Sequence, residues 1–339
     1  MSHWLVTGGA GFIGTNFVRE AHARGLAKLT ILDQLTYAGS LSNIAQIVDD
    51  EHVTFVRGDI NDAAVVDRLF AADPIDVVVH LAAESHVDRS IATPRSFLET
   101  NILGTYTLLD AALRHWRGAY DQHRFLHVST DEVYGSLQAD ESPFTEASPQ
   151  RPNSPYSASK ASADHLVRAW GKTYGLPTIV THCSNNYGPW QWPEKLIPLV
   201  IHNALTGQPL PIYGDGRQVR DWIHVLDHCD ALFATIERGA LGENYIIGAQ
   251  NEWTNLKLVR SICEHVDRLT GNAPGTSVKL IEHVRDRPGH DVRYAVDASK
   301  ARDHLGWRPT RDFEESIGEV VRWYVENEEW VRAQRERHD

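Results

Sequence analysis

The order of apolar and amphipathic stretches predicts an α/β protein: a doubly wound parallel-sheet Rossmann domain followed by a smaller α+β C-terminal lobe. Three observations carry the prediction. Through the first half, short and nearly continuous apolar runs alternate with longer helical patterns, as in a parallel sheet covered by helices on both faces. A glycine-rich turn separates the first apolar run from the first helical one. After Asn186 the texture changes to prolines and turns, which places a different kind of structure behind the sheet.

Taken in order, strands are expected at Trp4-Leu5-Val6, Leu29-Thr30-Ile31-Leu32, Val53-Thr54-Phe55-Val56, Val77-Val78-Val79-His80-Leu81, Phe125-Leu126-His127-Val128 and Thr178-Ile179-Val180, with the first helix from Phe12 to Ala23. Residues 1–185 form the expected first domain, to which later segments can return, and residues 186–339 the second lobe. In that lobe Pro189 to Asp215 reads as turns, and helices are expected near Leu256–Thr270 and Phe313–Gln334. Trp170, Trp222, Trp307 and Trp323 sit in helical or turn contexts and read as core.

Composition narrows the function. With 339 residues there is ample chain for a core. The net charge of −12 argues against a nucleic-acid partner, because phosphate contacts need a basic face. An anionic small ligand remains possible, since local arginines can hold a phosphate on an acidic protein. Three cysteines, Cys183, Cys229 and Cys263, are odd in number and widely spaced, so no disulfide framework is expected and a reducing cytoplasm is. No apolar run reaches membrane-spanning length, and Trp4-Leu5-Val6 is not a signal-peptide core.

Gly8, Gly11 and Gly14 follow the spacing G-x-x-G-x-x-G between the first strand and the first helix. Glycines there allow a tight turn and a close approach of backbone to a pyrophosphate on the helix N-terminus. A glycine turn that merely packs would look the same in isolation. Asp33 ends the second strand 19 residues after Gly14, where a carboxylate meets ribose hydroxyls and repels a 2′-phosphate, favouring NAD over NADP. Asp59, at the end of the third strand, is a candidate for the adenine amino group.

Tyr156 and Lys160 are four residues apart ahead of the helical run Ala161–Tyr174, which places phenol and ammonium on one helix face. A free tyrosine, with a pKa of about 10, is a poor base at neutral pH. A nearby ammonium, together with the positive nicotinamide of bound NAD+, is expected to favour the phenolate and lower that value. Thr130-Asp131-Glu132 follows directly on the fifth strand, at the edge where open α/β sheets hold ligands. Two adjacent carboxyls there can divide into an acid and a base, which a simple dehydrogenase does not need. His224, His228 and Cys229 approach metal-ligand spacing around Asp227, but on a helix Asp227 and Cys229 point away from the histidines; no metal is expected.

These stretches resemble the extended short-chain dehydrogenase/reductase superfamily and, within it, the dTDP-glucose 4,6-dehydratases. The resemblance runs through Asp33 to Gly39, Ala82 to Ser90, Ser129 to Gly135, Ser154 to Lys160, Ser184 to Pro189, Pro193 to Pro198 and Asp286 to Asp291. Its most specific element is Thr130-Asp131-Glu132: related 4-epimerases lack the acid pair, and GDP-mannose dehydratases and UDP-glucuronate decarboxylases typically have Ser-Glu. Trp190-Gln191-Trp192 departs from the more common Tyr-His-Phe.

The resemblance implies dehydration of dTDP-glucose to a 4-keto-6-deoxy sugar nucleotide, with NAD regenerated in each turnover. Tyr156 would serve as base at the 4-hydroxyl, with Lys160 beside it and Thr130 bonded to phenol and substrate. Glu132 would take the C5 proton and Asp131 would protonate the departing 6-hydroxyl. Phe12, Ile13, Thr36, Ile60, Leu81, Ala82, Ala83, Ser85, Thr100 and Asn186 would surround the cofactor. Ser85, Asn185, Lys195, Leu196, Pro211, Ile212, Tyr213, Arg220, Asn255, Arg287 and His290 would hold the sugar nucleotide, the guanidinium forks of Arg220 and Arg287 suiting its diphosphate.

The resemblance also implies a homodimer. The helix of Tyr156 and the one from about Phe97 to His115 would pair with their copies in a four-helix bundle. Leu108, Leu109, Ala111, Ala112 and Leu113 supply apolar surface that burial within one chain explains equally well. Two other readings stand beside the dehydratase: a 4-epimerase or decarboxylase of the same fold, and a catalytically silent NAD sensor.

Overall fold

The computed structural model describes residues 1–48 and 50–336. Twelve strands are formed among them: β1 (His3–Thr7), β2 (Lys28–Asp33), β3 (Val53–Arg57), β4 (Val77–His80), β5 (Arg124–Thr130), β6 (Thr178–Cys183), β7 (Asn185–Tyr187), β8 (Leu210–Tyr213), β9 (Val219–His224), β10 (Asn244–Ile247), β11 (Glu252–Thr254) and β12 (Ile281–Val284). Seven of these make one parallel sheet in the order β3-β2-β1-β4-β5-β6-β10. The order reverses direction between β1 and β4, and a crevice opens there at the carboxyl ends of the strands.

Both faces of this sheet are buried, which is why its strands read as continuous apolar runs. Val6, Val79 and Leu126 join one core with Phe17 and Val18 of the helix Phe12–Ala23 and Leu232 of the helix Val225–Arg238. Their neighbours Leu5, Val78 and Phe125 join the opposite core with Leu108 and Leu109 of the helix Thr105–His115 and Val167 of the helix Pro155–Tyr174. Successive side chains thus face opposite layers, and neither layer is wet.

The seventh strand comes from late in the chain. Tyr245, Ile246 and Ile247 of β10 pair with Thr181, His182 and Cys183 of β6, and the helix Val225–Arg238 packs beside the first helix. The rest of the second half builds a smaller lobe around two sheets, β11-β9-β7 and β12-β8. Its core joins Ile197, Val200 and Ile201 to Leu258, Ile262, Phe313, Ile317 and Val320. The stretch from Pro189 to Asp215, expected as turns, contains the helix Leu196–Thr206 and strand β8. Pro198 disguised that helix, but it stands in the first turn, where no backbone donor is needed.

Leu108, Leu109, Ala111 and Ala112 are fully buried in this chain's own core. The exposed apolar side chains of that region are Leu98, Leu103 and Tyr106. Trp222 and Trp307 are buried, as expected of core tryptophans. Trp170 and Trp323 are only half-buried.

Candidate active site

The glycine turn is closed by contact rather than by capping. Gly11 N–H donates to the Gly8 carbonyl at 3.2 Å, and Gly8 adopts φ +72°. A Cβ on Gly14 would stand 2.1 Å from the Gly8 oxygen, and one on Gly8 would stand 2.6 Å from the Ala82 nitrogen. Neither position tolerates a side chain. The helix Phe12–Ala23 starts here with no side-chain cap and no acidic residue in its first turn, leaving its N–H groups open to an anion.

Asp33 fastens this turn to β2. Its Oδ2 accepts the Ala10 N–H at 2.9 Å and its Oδ1 the Leu35 N–H at 2.8 Å. Burial raises its pKa and the two backbone bonds offset part of that. Asp59 lies two residues beyond the end of β3 rather than on it, accepting from both the backbone and side chain of Asn61. Gly8, Gly11, Phe12, Ile13, Gly14, Asp33, Thr36, Asp59, Ile60, Leu81, Ala82, Ala83, Ser85, Thr100, Tyr156, Lys160 and Asn186 all line one continuous cleft. The bare turn and the carboxylate at the end of β2 fit a dinucleotide.

Thr130, Asp131 and Glu132 line the same cleft, with Asn185 and Lys195. Thr130 is the last residue of β5, and Asp131–Tyr134 form a single tight turn. The Thr130 hydroxyl donates to Asp131 Oδ1 at 3.3 Å and accepts the backbone N–H of Glu132 at 3.2 Å, tying the Asp131 carboxyl and the start of the turn to one oxygen. Asp131 Oδ2, Ser129 Oγ and Asn185 Oδ1 are buried polar atoms with no partner among the described residues. A ligand in the cleft would satisfy them.

The two carboxyls differ in surroundings. Asp131 is buried, and desolvation followed by the Glu132 charge drives its pKa well above the usual carboxylate range. Desolvation also raises Glu132, but Arg287, Arg220 and Lys195 pull the other way. Both carboxyls are thus raised, Asp131 the further, and the cations beside Glu132 oppose part of its rise.

Tyr156 stands in the first turn of its helix, which begins at Pro155, earlier than the run Ala161–Tyr174 suggested. Ser154 caps that helix in a reciprocal box with Ser157, and Pro155 occupies the first position. The Thr130 hydroxyl stands near the Tyr156 phenol and favours its anion. Burial first, then Glu132, push the Tyr156 pKa well above 10 in the free protein. Lys160 donates instead to the Val128 carbonyl at 2.9 Å. Spacing along a helix cannot report how dry the site is. Burial raises the Cys183 thiol to about 12, which keeps it protonated.

Leu196, Pro211, Ile212, Tyr213, Arg220, Asn255, Arg287 and His290 are outside the lining of this cleft. Ile212 is buried in the core of the small lobe. Arg220 is buried with its guanidinium 4.3 Å above the Tyr294 ring and bonded to the Asp291 carbonyl. Arg287 stands 3.6 Å from Asp88, which also accepts from the Tyr213 hydroxyl. His290 donates to Asp286 at 2.6 Å, and Lys195 donates to the Ser85 carbonyl at 3.0 Å. Arg220, Arg287 and Lys195 converge electrostatically on Glu132.

Sequence reasoning gave no role to Tyr37, Glu84 and Glu194, which also line the cleft, as do Gln191 and Trp192 of the departing Trp190-Gln191-Trp192 stretch. Each adjoins a motif that was noticed, so position along the chain was the available signal. His224 and His228 have local tasks. His224 caps the helix Val225–Arg238 by accepting the Leu226 N–H, and His228 donates to Asn186 Oδ1 at 2.9 Å.

Comparison with known proteins agrees with this architecture. Residues 5–320 match the family model described as GDP-mannose 4,6 dehydratase. The dTDP-glucose 4,6-dehydratase of Xanthomonas campestris pv. campestris (strain B100) is 52% identical over 338 residues, covering 98% of this chain and 96% of that protein. The dTDP-glucose 4,6-dehydratase of Neisseria meningitidis serogroup B (strain ATCC BAA-335 / MC58) is 53% identical, covering 96% of this chain and 94% of its own. In fold, the chain is similar to the crystal structure of the dTDP-glucose 4,6-dehydratase from Streptomyces venezuelae solved with NAD bound. That match has a TM-score of 0.90 at 45% identity, over 98% of this chain and 99% of that one. A turn too tight for any side chain, an acid pair at the end of β5 and half-identity over nearly full length place this chain in the dTDP-glucose 4,6-dehydratase family.

Proposed function

We propose that this protein is an NAD-dependent hydro-lyase that converts dTDP-glucose to dTDP-4-keto-6-deoxyglucose, and that the cleft residues divide the work as follows. The observation that carries the proposal is the Asp131–Glu132 pair hung from Thr130 beside Tyr156. Bound in this cradle, NAD+ supplies the hydride acceptor and later donor, and the positive ring charge that favours the Tyr156 phenolate. Tyr156 takes the proton of the sugar 4-hydroxyl, with Thr130 fixing the phenol. Once C4 is a ketone, the C5 proton is acidic and Glu132 removes it. Asp131, held protonated by burial, gives its proton to the departing 6-hydroxyl, so water leaves across C5–C6. The return of hydride to C6 and of a proton to C5 completes the product.

Lys160 braces the helix of Tyr156 against β5 through Val128. Arg220, Arg287 and Lys195 form the cationic side of Glu132, and a diphosphate is the ligand charge that suits them. The acid pair separates this reading from an epimerase, which needs no proton donor at a leaving hydroxyl.

A homodimer is part of the same proposal. Leu98, Leu103, Tyr106 and Tyr174 are exposed, and Tyr106 meets Trp170 of the Tyr156 helix edge-on at 5.9 Å, which supports a shared apolar face across two helices. The cytoplasm is the compartment that suits three free, buried cysteines; no helix among the described residues is long and apolar enough to cross a membrane.

The test is turnover of dTDP-glucose against UDP-glucose, followed by keto-sugar absorbance in alkali. With substrate deuterated at C4, the label should reach the C6 methyl group of the product; label lost to solvent would rule out the proposed route.

A further inference from the structure

The segment from Gly188 to Lys195 forms one wall of the cofactor cleft through Gln191, Trp192, Glu194 and Lys195. Within it Trp190 adopts φ +69°, a left-handed conformation that is strained for a bulky side chain and persists only when its surroundings hold it. The surroundings do so. Trp323 meets the Trp190 ring at 4.9 Å and Trp330 at 5.5 Å, both edge to face, while the Arg19 guanidinium lies 5.3 Å over it.

Trp330 belongs to the last helix, Glu328–Glu336, and its Nε1–H donates to Asn43 Oδ1 at 2.8 Å. Asn43 donates in turn to the carbonyl of Ala10, within the glycine turn, at 3.4 Å. The wall is tied at other points too. The Tyr324 hydroxyl reaches the carbonyls of Gly188 at 3.2 Å and Gln191 at 2.9 Å, and Asn16 donates to Pro189 at 3.0 Å. At the opposite rim Trp192 meets Tyr37 edge-on at 6.2 Å.

We propose that Trp330 latches Trp190, and with it the wall from Gly188 to Lys195, against the dinucleotide cleft, so that the C-terminal helix sets how slowly the resident cofactor leaves. This rests on the NAD reading above. A cycle that restores its cofactor each turn gains from retention, and the latch supplies it without touching a reacting atom. Trp190 and Trp330 are positioning residues in this sense. Removing either ring takes away contacts that hold the wall in place.

The experiment follows NAD release from the full-length protein, loaded with excess NAD, gel-filtered and sampled over time by a cycling assay. Trp330→Ala and Trp190→Gly should lose NAD about tenfold faster than wild type, a change of roughly 1.4 kcal/mol, and added NAD should restore their turnover. Trp190→Gly is the decisive variant: glycine accepts this backbone without strain, so faster release there reports the lost ring contacts alone. Trp330→Phe keeps a ring but loses the bond to Asn43, and its release rate should fall between. Unchanged release in Trp190→Gly and Trp330→Ala, with or without a lower Tm, would overturn the latch. A wild-type protein that retains no NAD would instead overturn the cofactor reading on which it stands.

Discussion

The hydroxyl of Thr130 donates to the Asp131 carboxyl at 3.3 Å while accepting the backbone N–H of Glu132, so one side chain holds the Asp131 acid and the turn that carries Glu132. Asp131→Asn keeps the shape and removes the transferable proton. Oxidation at C4 should survive, with reduced nicotinamide accumulating at 340 nm in a single turnover. Dehydration should fall by about 10²-fold or more, the usual worth of a general acid. Equal loss of both half-reactions would remove Asp131 from the acid role.

The same substitution carries a stability prediction. The Asp131 carboxyl titrates well above its ordinary value when folded, so the folded state binds its proton more tightly than the unfolded chain. Below about pH 4, where both states are protonated, the group costs nothing. As pH rises from there toward the raised folded value, the native state loses stability. Asp131→Asn should therefore melt a few degrees above wild type at pH 7, the gain vanishing near pH 4. Scanning calorimetry across that range checks it.

His228 gives the opposite slope. Burial holds its imidazole neutral, with a pKa lowered to about 3 from 6.5. A histidine depressed in the folded state favours the native state fully above the unfolded pKa. That advantage is lost as pH falls from 6.5 toward 3. His228→Gln can keep a donor for Asn186 and has no proton to gain. Its urea midpoint should drop less than that of wild type between pH 7 and pH 5; parallel curves would contradict the assignment.

Gly14→Ala tests the cradle. The new methyl would sit 2.1 Å from the Gly8 oxygen, so the turn must open. A loss of about 1–3 kcal/mol is expected from such overpacking, together with NAD content near zero after gel filtration. Denaturing the purified protein and assaying the released nucleotide reads this directly.

The parts of the site that follow from local chain chemistry were legible in advance: the glycine spacing, Asp33 at a strand end, and the acid pair after Val128. What escaped depends on distant neighbours. Strand β10 is four residues long, too short to announce itself before its pairing with β6 is known. The helix Leu196–Thr206 hid behind Pro198 because a proline reads as a breaker until its place in the first turn is seen. The dryness around Tyr156, which raises its pKa in the free protein, could not be read from helical spacing. Leu108 and Leu109 offered apolar surface equally suited to a partner or to the chain's own interior, and the interior took them.

The late arrival of β10 on the large sheet has a practical consequence. A fragment ending near Cys183 would leave the whole hydrogen-bonding edge of β6 bare, along with apolar side chains that the helix Val225–Arg238 covers. Such an unprotected edge invites strand-to-strand association between molecules. Expression of the amino-terminal half alone should therefore yield inclusion bodies, and protease nicking between the halves should leave the pieces associated rather than release a soluble module.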